Sequence, residues 1–223
     1  MMNKENLFEK LEKLYLSQSD NKKQKTRYYE SDQYIYRFGE VPKGIFYIRK
    51  GAVKITRIGA NGKEIIIRIA NSHDFIGYLS LLKYWSYMTS ATAIENTEIY
   101  FFPKDIFLAA IKTDNEFAFE VIDLLCERSI DSISGMVDMA SKSVEQRLCA
   151  ALLTLDQIAI KKYGKPSIIK LRKKDISSMI GSVPETVSRQ LAKLEKEGFI
   201  TTTDKGIEVI SRHHLAKISN LGD

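Results

Sequence analysis

Residues 173–200, KKDISSMIGSVPETVSRQLAKLEKEGFI, contain the pattern that decides the C-terminal fold. Apolar residues recur at helical spacing on both sides of Gly181, which predicts two short helices joined by a tight turn. The inner positions of these helices are Ile176, Ile180, Val187, Leu191 and Leu194. Two short helices that cross at apolar residues, with a glycine between them, are typical of a helix-turn-helix.

The ends of the second helix are marked by residues with distinct backbone preferences. Pro184 suits the first turn, where its missing N–H would have no helical partner, and Ser182 is a candidate cap. Gly198 is predicted to end the helix. The next stretch, FITTTDKGIEVI at 199–210, predicts two strands around a tight turn, so the whole segment is predicted to be a winged helix-turn-helix.

The outward face of the second helix carries the candidate base contacts. With Val187 and Leu191 facing inward, the side chains of Glu185, Ser188 and Arg189 project from its first turns, where recognition helices touch base edges. An arginine bonds guanine through two parallel hydrogen bonds, and a glutamate accepts from cytosine. An ion pair between Glu185 and Arg189 at i, i+4 is the structural alternative, and it is compatible with a base contact because it would hold the arginine in position.

Positive charge is concentrated in the same part of the chain. Residues 1–141 contain 19 Lys+Arg and 19 Asp+Glu, whereas residues 142–223 contain 15 and 9, a difference of +6 that accounts for the whole net charge. Such a cluster attracts polyanions, although a solvated lysine-rich face has the same composition. The predicted phosphate contacts are Lys173, Lys174, Ser182, Thr186 and Lys193.

The N-terminal part has a different periodicity. From about residue 27 to 107, short β-rich runs are separated by turns such as the one at 59–62, which predicts an antiparallel β-roll or jelly roll. The expected fold class is α+β. The expected domains are an N-terminal helix with the β-roll sensor at 1–113, a dimerisation helix at 114–141 and the winged helix-turn-helix at 142–223.

The segment at 114–141 has the spacing of a coiled coil. Its seam residues alternate at steps of four and three, and they are Ile122, Cys126, Ser129, Ile133, Met136 and Ala140. The flanking Ile130 and Val137 widen the apolar stripe, so one side of the helix is expected to pack on the β-roll and the other on a second copy. The segment therefore predicts a homodimer, and a wide core-facing helix in a monomer is the alternative.

A further helix is predicted over 144–160, VEQRLCAALLTLDQIAI. Ser143 directly before it is a candidate N-cap, and Gly164 and Pro166 are expected to end it. This helix is therefore expected to connect the dimerisation helix to the helix-turn-helix.

Composition argues against several classes of protein. The longest apolar runs are a few residues, far below the roughly 20 that cross a bilayer, so no membrane association is expected. The two cysteines are too few for a disulfide framework or a four-cysteine metal site, which favours a cytoplasmic protein. No combination of nucleophile, base and metal ligands is present, so no enzyme is expected. A protein-interaction module whose winged helix does not bind DNA is the alternative function.

In these motifs the sequence resembles the CRP/FNR transcription regulators over nearly its whole length. The segments FGEVPKGIFYIRKGAVKI (38–55), NGKEIIIRIANSHDFIG (61–77) and NTEIYFFPKDIF (96–107) are similar to the family's cyclic-nucleotide-binding β-roll. Residues 173–200 are similar to its helix-turn-helix. The order of the segments, their spacing and the glycine positions all match.

The resemblance implies a DNA target. It places Glu185, Ser188 and Arg189 at the base-contacting positions of the family, in a Glu-x-x-Ser-Arg form similar to the FNR branch. This form implies half-sites like TTGAT or TTGAC, arranged as an inverted repeat in double-stranded DNA and bound by a homodimer. Pro184 stands where the CRP branch has an arginine. RNA polymerase is an implied partner if the protein is an activator.

The resemblance also shows where the sensor departs from the family. Nucleotide-binding members contact the ribose with a glutamate and the phosphate with an Arg–Ser pair, but this chain has Tyr78, Tyr87 and Met88 at those positions. Cyclic AMP is not expected, because a semi-buried phosphate needs a compensating cation. An FNR-type iron–sulfur cluster is not expected either, because no cysteine precedes Cys126.

The segment DFIGYLSLLKYWSYM at 74–88 is instead aromatic and apolar. It predicts a filled core, and a pocket for an apolar effector or haem is the alternative. The candidate pocket residues are Tyr78, Tyr87, Met88 and Cys126. His73 is a candidate haem or metal ligand, although an exposed turn histidine fits its position better.

Overall fold

The structure is a computed structural model that describes residues 4–18, 26–83, 85–163 and 168–220, with only the backbone at 161–163. The predicted helix end at Gly164 and Pro166 lies outside these residues, as does Tyr84 of the aromatic segment. The chain divides into two compact units. One consists of the residues up to Lys63 together with Ile67–Asp131, and the other of Glu64–Ile66 together with the residues from Ser132 onward.

Helices and strands of the N-terminal part follow one another in an α+β arrangement. They are α1 (Lys4–Gln18), β1 (Thr26–Tyr29), β2 (Tyr34–Tyr36), β3 (Gly44–Lys50), β4 (Ala52–Ile58), β5 (Glu64–Asn71), β6 (Phe75–Ile76), α2 (Tyr78–Lys83), β7 (Ser90–Ala93), β8 (Thr97–Pro103) and α3 (Lys104–Thr113). The remaining elements are α4 (Asn115–Ser141), α5 (Val144–Tyr163), α6 (Lys173–Met179), α7 (Pro184–Lys196), β9 (Ile200–Thr203), β10 (Gly206–Val209) and α8 (Arg212–Ser219).

Strands β1 to β8 form two four-stranded sheets, in the orders β1-β8-β3-β6 and β2-β7-β4-β5. The pairings β1 with β8, β3 with β8, β3 with β6, β2 with β7 and β4 with β7 are all antiparallel. The turn predicted at 59–62 is present, with the Gly59 N–H donating to the Lys63 carbonyl at 2.9 Å. This arrangement confirms the predicted α+β class and the β-roll.

Helix α1 covers one face of the β-roll because its apolar residues recur every three or four positions. Leu7 and Leu11 are fully buried in one core cluster with residues from β3, β8, α3 and α4. Phe8 stacks on Tyr47 with 4.3 Å between the ring centroids and lies 5.2 Å from the ring of Tyr100. The helix that opens the described chain is therefore part of the core of the β-roll unit.

An ionic cluster around Asp74 links three elements of the same unit. Its carboxylate lies 2.7 Å from the Lys4 ammonium of α1, 3.4 Å from the Arg68 guanidinium of β5 and 3.9 Å from that of Arg128 on α4. Burial by itself would raise the pKa of Asp74, but the charges of Arg68 and Lys4 and the hydrogen bonds outweigh it and lower that pKa below its usual value. The cluster holds α1 and α4 against the β5–β6 turn.

Helix α4 has one buried side and one exposed side. Phe117, Val121 and Leu124 are buried in the core of the β-roll. All six predicted seam residues are exposed in the single chain, with Ile122 at 52%, Ile133 at 54% and Met136 at 63%. The long helix is as predicted, and no described residue of its own chain covers the apolar seam.

Candidate nucleic-acid interface

The helix-turn-helix forms where the sequence predicts it, from α6 and α7. The predicted inner residues are all buried, at 2% exposure or less: Ile176, Ile180, Val187, Leu191 and Leu194. Gly181 has a φ of +62° in the turn between the helices, a conformation that glycine adopts without strain. Burial of one side of α7 fixes which of its side chains face solvent.

The N-terminus of α7 corrects one prediction. Val183 is the N-cap, with no side-chain cap hydrogen bond, so Ser182 does not cap the helix. The reason is the proline, which requires an extended residue before it and occupies the first helical position. The Val183 carbonyl accepts the first helical bond, from the Val187 N–H at 3.1 Å, while the Ser182 N–H bonds the Ser177 carbonyl at 2.9 Å.

The C-terminus of α7 is closed by a left-handed glycine, as predicted. Gly198 has a φ of +75°, its N–H bonds the Glu195 carbonyl at 2.9 Å, and the Phe199 N–H bonds the Leu194 carbonyl at 2.9 Å. These two bonds satisfy carbonyls that the helix end would otherwise leave open. They turn the chain directly into the wing.

The wing is the antiparallel pair β9–β10, also as predicted. Glu195 near the end of α7 accepts a 2.6 Å hydrogen bond from the Thr202 N–H of β9. The Ile169 backbone extends the pair through hydrogen bonds of 2.8 and 3.1 Å with Ile207. The wing is therefore fixed to α7 by a side chain as well as by the turn.

The predicted base-contacting residues share the outer side of α7. Glu185 and Arg189 are exposed and Ser188 is half-buried. Within the described part of the chain no ion pair joins Glu185 to Arg189, so the alternative role of an intrahelical bridge is not realised. Both charged groups can therefore bond an external partner.

The predicted phosphate contacts differ in their surroundings. Lys173 and Lys174 are exposed at the start of α6, and Ser182 and Thr186 are half-buried around the start of α7. Lys193 instead donates to the Glu145 carboxylate of α5 at 2.8 Å, and this hydrogen bond raises the pKa of Lys193. The pairing joins residues 48 positions apart and has no signal in the sequence.

The four residues of the candidate effector pocket are not brought together into one cluster. Tyr78 is buried in the core cluster that contains α1, whereas Tyr87 belongs to a second cluster with Tyr36 and Phe46. The Met88 N–H donates to the Ser80 hydroxyl at 3.1 Å, and Cys126 is exposed on α4.

The ring of Tyr87 stacks on that of Tyr36 inside the β-roll. The two ring centroids lie 4.0 Å apart, and the Tyr87 hydroxyl donates to the Gly44 carbonyl at 3.3 Å. Burial raises the pKa of both tyrosines, which keeps their hydroxyls neutral. Phe75, Tyr78 and Tyr87 of the aromatic segment therefore pack in the core as predicted, whereas Trp85 is 95% exposed and does not.

A cation that sequence reasoning missed lies in the same unit. The Arg68 guanidinium donates to the Phe75 carbonyl at 3.2 Å and lies close enough to Tyr36 and Tyr78 to affect both hydroxyls. Its charge is balanced by Asp74. Arg68 reaches this segment across the short turn that joins β5 to β6, and the two strands lie in different sheets, so no strand-pairing pattern signals the contact.

His73 is an exposed turn residue, and Cys149 is a buried residue of α5. The His73 side chain is 54% exposed in a turn, and its Nδ1 lies 2.9 Å from the Tyr47 hydroxyl. Cys149 is buried, and that burial raises its pKa to about 12. The described residues contain no group of His, Cys, Asp and Glu side chains that could hold a metal ion, and none of their helices is long and apolar enough to cross a membrane.

Comparison with known proteins agrees with both parts of the chain. Residues 26–114 match the cyclic nucleotide-binding domain, and residues 146–218 match the Crp-like helix-turn-helix domain. A β-roll of this type joined to such a helix-turn-helix defines a DNA-binding transcription regulator. The chain belongs to the CRP/FNR family of these regulators.

Relatives of the chain are similar over most of its length. The regulatory protein HlyX of Actinobacillus pleuropneumoniae is 27% identical over 87% of this chain and 81% of its own, and the cyclic AMP receptor protein of Thermus thermophilus is 25% identical over 86% and 87%. The structure of FixK2 from Bradyrhizobium japonicum shares the fold, with a TM-score of 0.77 at 21% identity over 88% of this chain and 97% of that one. As a member of this family the chain is a transcription regulator and not an enzyme.

The left-handed conformation at Gly198 gives a testable consequence. The Gly198→Ala variant should lose about 1 to 2 kcal/mol of unfolding free energy, because a Cβ is strained at this φ although no atom lies within 4 Å of it. Urea denaturation measures the loss. The Gly198→Asn variant is the control and should lose less, because asparagine tolerates the left-handed region. Equal losses in the two variants would contradict a conformational origin.

Proposed function

We propose that the protein binds, as a homodimer, an inverted repeat with half-sites like TTGAT or TTGAC. The observation that supports this most directly is the outer face of α7, where Glu185 and Arg189 are exposed opposite the buried Val187 and Leu191 and Ser188 is half-buried at the edge. The half-site sequence rests on the likeness of the Glu-x-x-Ser-Arg form to the FNR branch. The experiment that tests it is selection of bound duplexes from a random pool with the purified protein at fixed salt.

In this proposal the residues around α7 divide into two roles. Arg189 bonds the O6 and N7 atoms of a guanine, Glu185 accepts from a cytosine N4, and Ser188 contacts a neighbouring base edge. Lys173 and Lys174 neutralise phosphates, with Ser182 and Thr186 as neutral donors, so they set affinity and register without sequence preference. The Lys193 ammonium is paired with Glu145, so in this proposal it bonds a phosphate and that carboxylate at the same time.

The homodimer is supported by the uncovered seam of α4. Isoleucine and methionine side chains that are more than half exposed in one chain are what a second α4 would cover. Two copies related by a two-fold axis present two α7 helices, and an inverted repeat matches that symmetry. An effector acting on the β-roll would then alter DNA binding by favouring one packing of the paired α4 helices over another.

Arg189→Ala tests the base contacts. The variant should lose about 1 to 3 kcal/mol of binding free energy on the selected repeat and discriminate less at one G·C pair, because the bidentate contact is gone. Fluorescence anisotropy with single-substitution duplexes measures both effects. Lys173→Ala is the matched control and should weaken all duplexes alike, with a salt slope lower by about 1. Unchanged base preference in the Arg189 variant would show that Arg189 contacts no base.

Ile133→Glu tests the dimer. A charge on the seam should shift the protein to monomers, because pairing would bury that carboxylate without a partner, a cost of several kcal/mol. Sedimentation equilibrium measures the association. Ile133→Val is the control and should remain dimeric, since it keeps an apolar side chain. A charged variant that remains fully dimeric would place the interface elsewhere.

The aromatic stack at Tyr87 predicts indifference to cyclic AMP. Adding cyclic AMP should change neither the midpoint of thermal unfolding nor the affinity for the selected duplex. A ligand that binds the folded state raises the unfolding midpoint, so a nucleotide that does not bind leaves it unchanged. A regulator that is known to bind cyclic AMP serves as the positive control. A midpoint that rises with cyclic AMP concentration would contradict the proposal.

A further inference from the structure

The structure assigns a positioning role to Arg147, whose guanidinium connects the end of the dimerisation helix to the turn of the helix-turn-helix. Its Nε donates to the Ile180 carbonyl at 2.8 Å. Its Nη1 donates to the Lys142 carbonyl at 2.5 Å and approaches the Met139 carbonyl at 3.5 Å. One side chain therefore bonds the ends of α4 and α6 at the same time.

The three carbonyls belong to helix ends that need such a partner. Met139 is in the last turn of α4, Lys142 follows that helix directly, and Ile180 is the C-cap of α6. The last carbonyls of a helix have no internal donor and carry the negative end of its dipole. A guanidinium satisfies them with charge-assisted bonds, and its rigid fork sets the direction of each bond.

The position of Arg147 is itself fixed by the start of α5. The Ser143 hydroxyl accepts from the Gln146 N–H at 3.2 Å, and the Gln146 side chain accepts from the Ser143 N–H at 2.9 Å. This reciprocal capping confirms Ser143 as the N-cap and places Arg147 one residue later on a defined turn. The capped start of α5 therefore holds Arg147 between the ends of α4 and α6.

An apolar contact supports the same junction. A Cβ built on Gly181 would lie 3.1 Å from the Met139 sulfur, so the last turn of α4 packs directly on the turn before α7. Pro184, the first residue of α7, follows Gly181 by three positions. Polar and apolar contacts thus join the same two places, the end of α4 and the segment that leads into α7.

The consequence concerns the spacing of half-sites, and it rests on the proposed homodimer and inverted repeat. If the α4 helices pair, the separation of the two α7 helices depends on how firmly each helix-turn-helix is held to the end of its own α4. Two half-sites must lie about one helical turn apart to meet both helices. Arg147 is therefore expected to determine how sharply the dimer distinguishes one spacing from another.

The test uses full-length protein and the selected repeat, with spacers lengthened or shortened by one base pair, and a duplex with a single half-site. Arg147→Lys keeps the charge but replaces the two separate donors, Nε to Ile180 and Nη1 to Lys142, by a single ammonium without the planar fork. Its preference for the selected spacing should fall roughly tenfold, the scale of one charge-assisted hydrogen bond, while affinity for the single half-site changes less than about twofold. Arg212→Lys is the matched control, since Arg212 pairs with the buried Asp156 at 2.6 Å and does not touch α4.

Arg212→Lys should lower the unfolding midpoint but leave spacing preference unchanged. An equal loss of affinity for every duplex in Arg147→Lys would mean a merely structural role and would overturn the inference, as would an unchanged spacing preference. If Arg147→Lys does not fold, the spacing preference is measured in Met139→Ala instead. That substitution removes the apolar contact between the end of α4 and Gly181, at a residue that is 45% exposed. A wild-type protein that selects no spaced repeat would defeat the proposed function and this inference together.

Discussion

Burial of the inner side of α7 is the constraint on which the interface depends. Val187, Leu191 and Leu194 are covered by α5, α6 and β9, and a helix turns by about 100° per residue. Once that stripe is buried, Glu185 and Arg189 must lie on the opposite side. The apolar residues therefore determine which polar residues meet a ligand, and a change of one position in the stripe would present a different set.

In the proposed homodimer, the two sides of α4 connect dimerisation to DNA binding. Its first turns are held to the β-roll by Phe117, Val121 and Leu124 and by the ion pair of Arg128 with Asp74. From residue 125 to 141 the helix has no buried residue, although it continues to carry isoleucine, valine and methionine. Exposed apolar area of this kind favours a partner most strongly in the half of α4 that leads to Arg147.

Local features of the fold were predictable from the sequence because they depend on neighbours along the chain. The turn at Gly181, the end at Gly198, the cap at Ser143 and the two-sided pattern of α4 follow from backbone preference and periodicity. The error at Ser182 has a local cause as well, since Pro184 moves the cap to Val183.

Contacts between distant residues were not predictable, and they include most of what positions the site. Arg147 and Ile180 are 33 positions apart, Lys193 and Glu145 are 48 apart, and no periodicity relates them. Tyr78 packs in the cluster that contains Tyr47 and Tyr87 in the one that contains Phe46, on opposite faces of β3, and a spacing of nine residues does not determine this division. The sequence therefore predicted which residues of α7 are exposed better than it predicted the contacts that hold the helix in place.

The pairing of charges in the C-terminal part refines the argument from net charge. Several basic residues are neutralised within the chain, Arg172 by Asp175 at 2.8 Å and Arg212 by Asp156 at 2.6 Å among them. In the described region Lys173, Lys174 and Arg189 make no such pair and remain exposed. A paired cation gains little from a phosphate because it must first give up its carboxylate, whereas an unpaired one exchanges only water and counterions. The unpaired positive charge is therefore centred on the start of α6 and the outer side of α7, where the proposed base-contacting residues also lie.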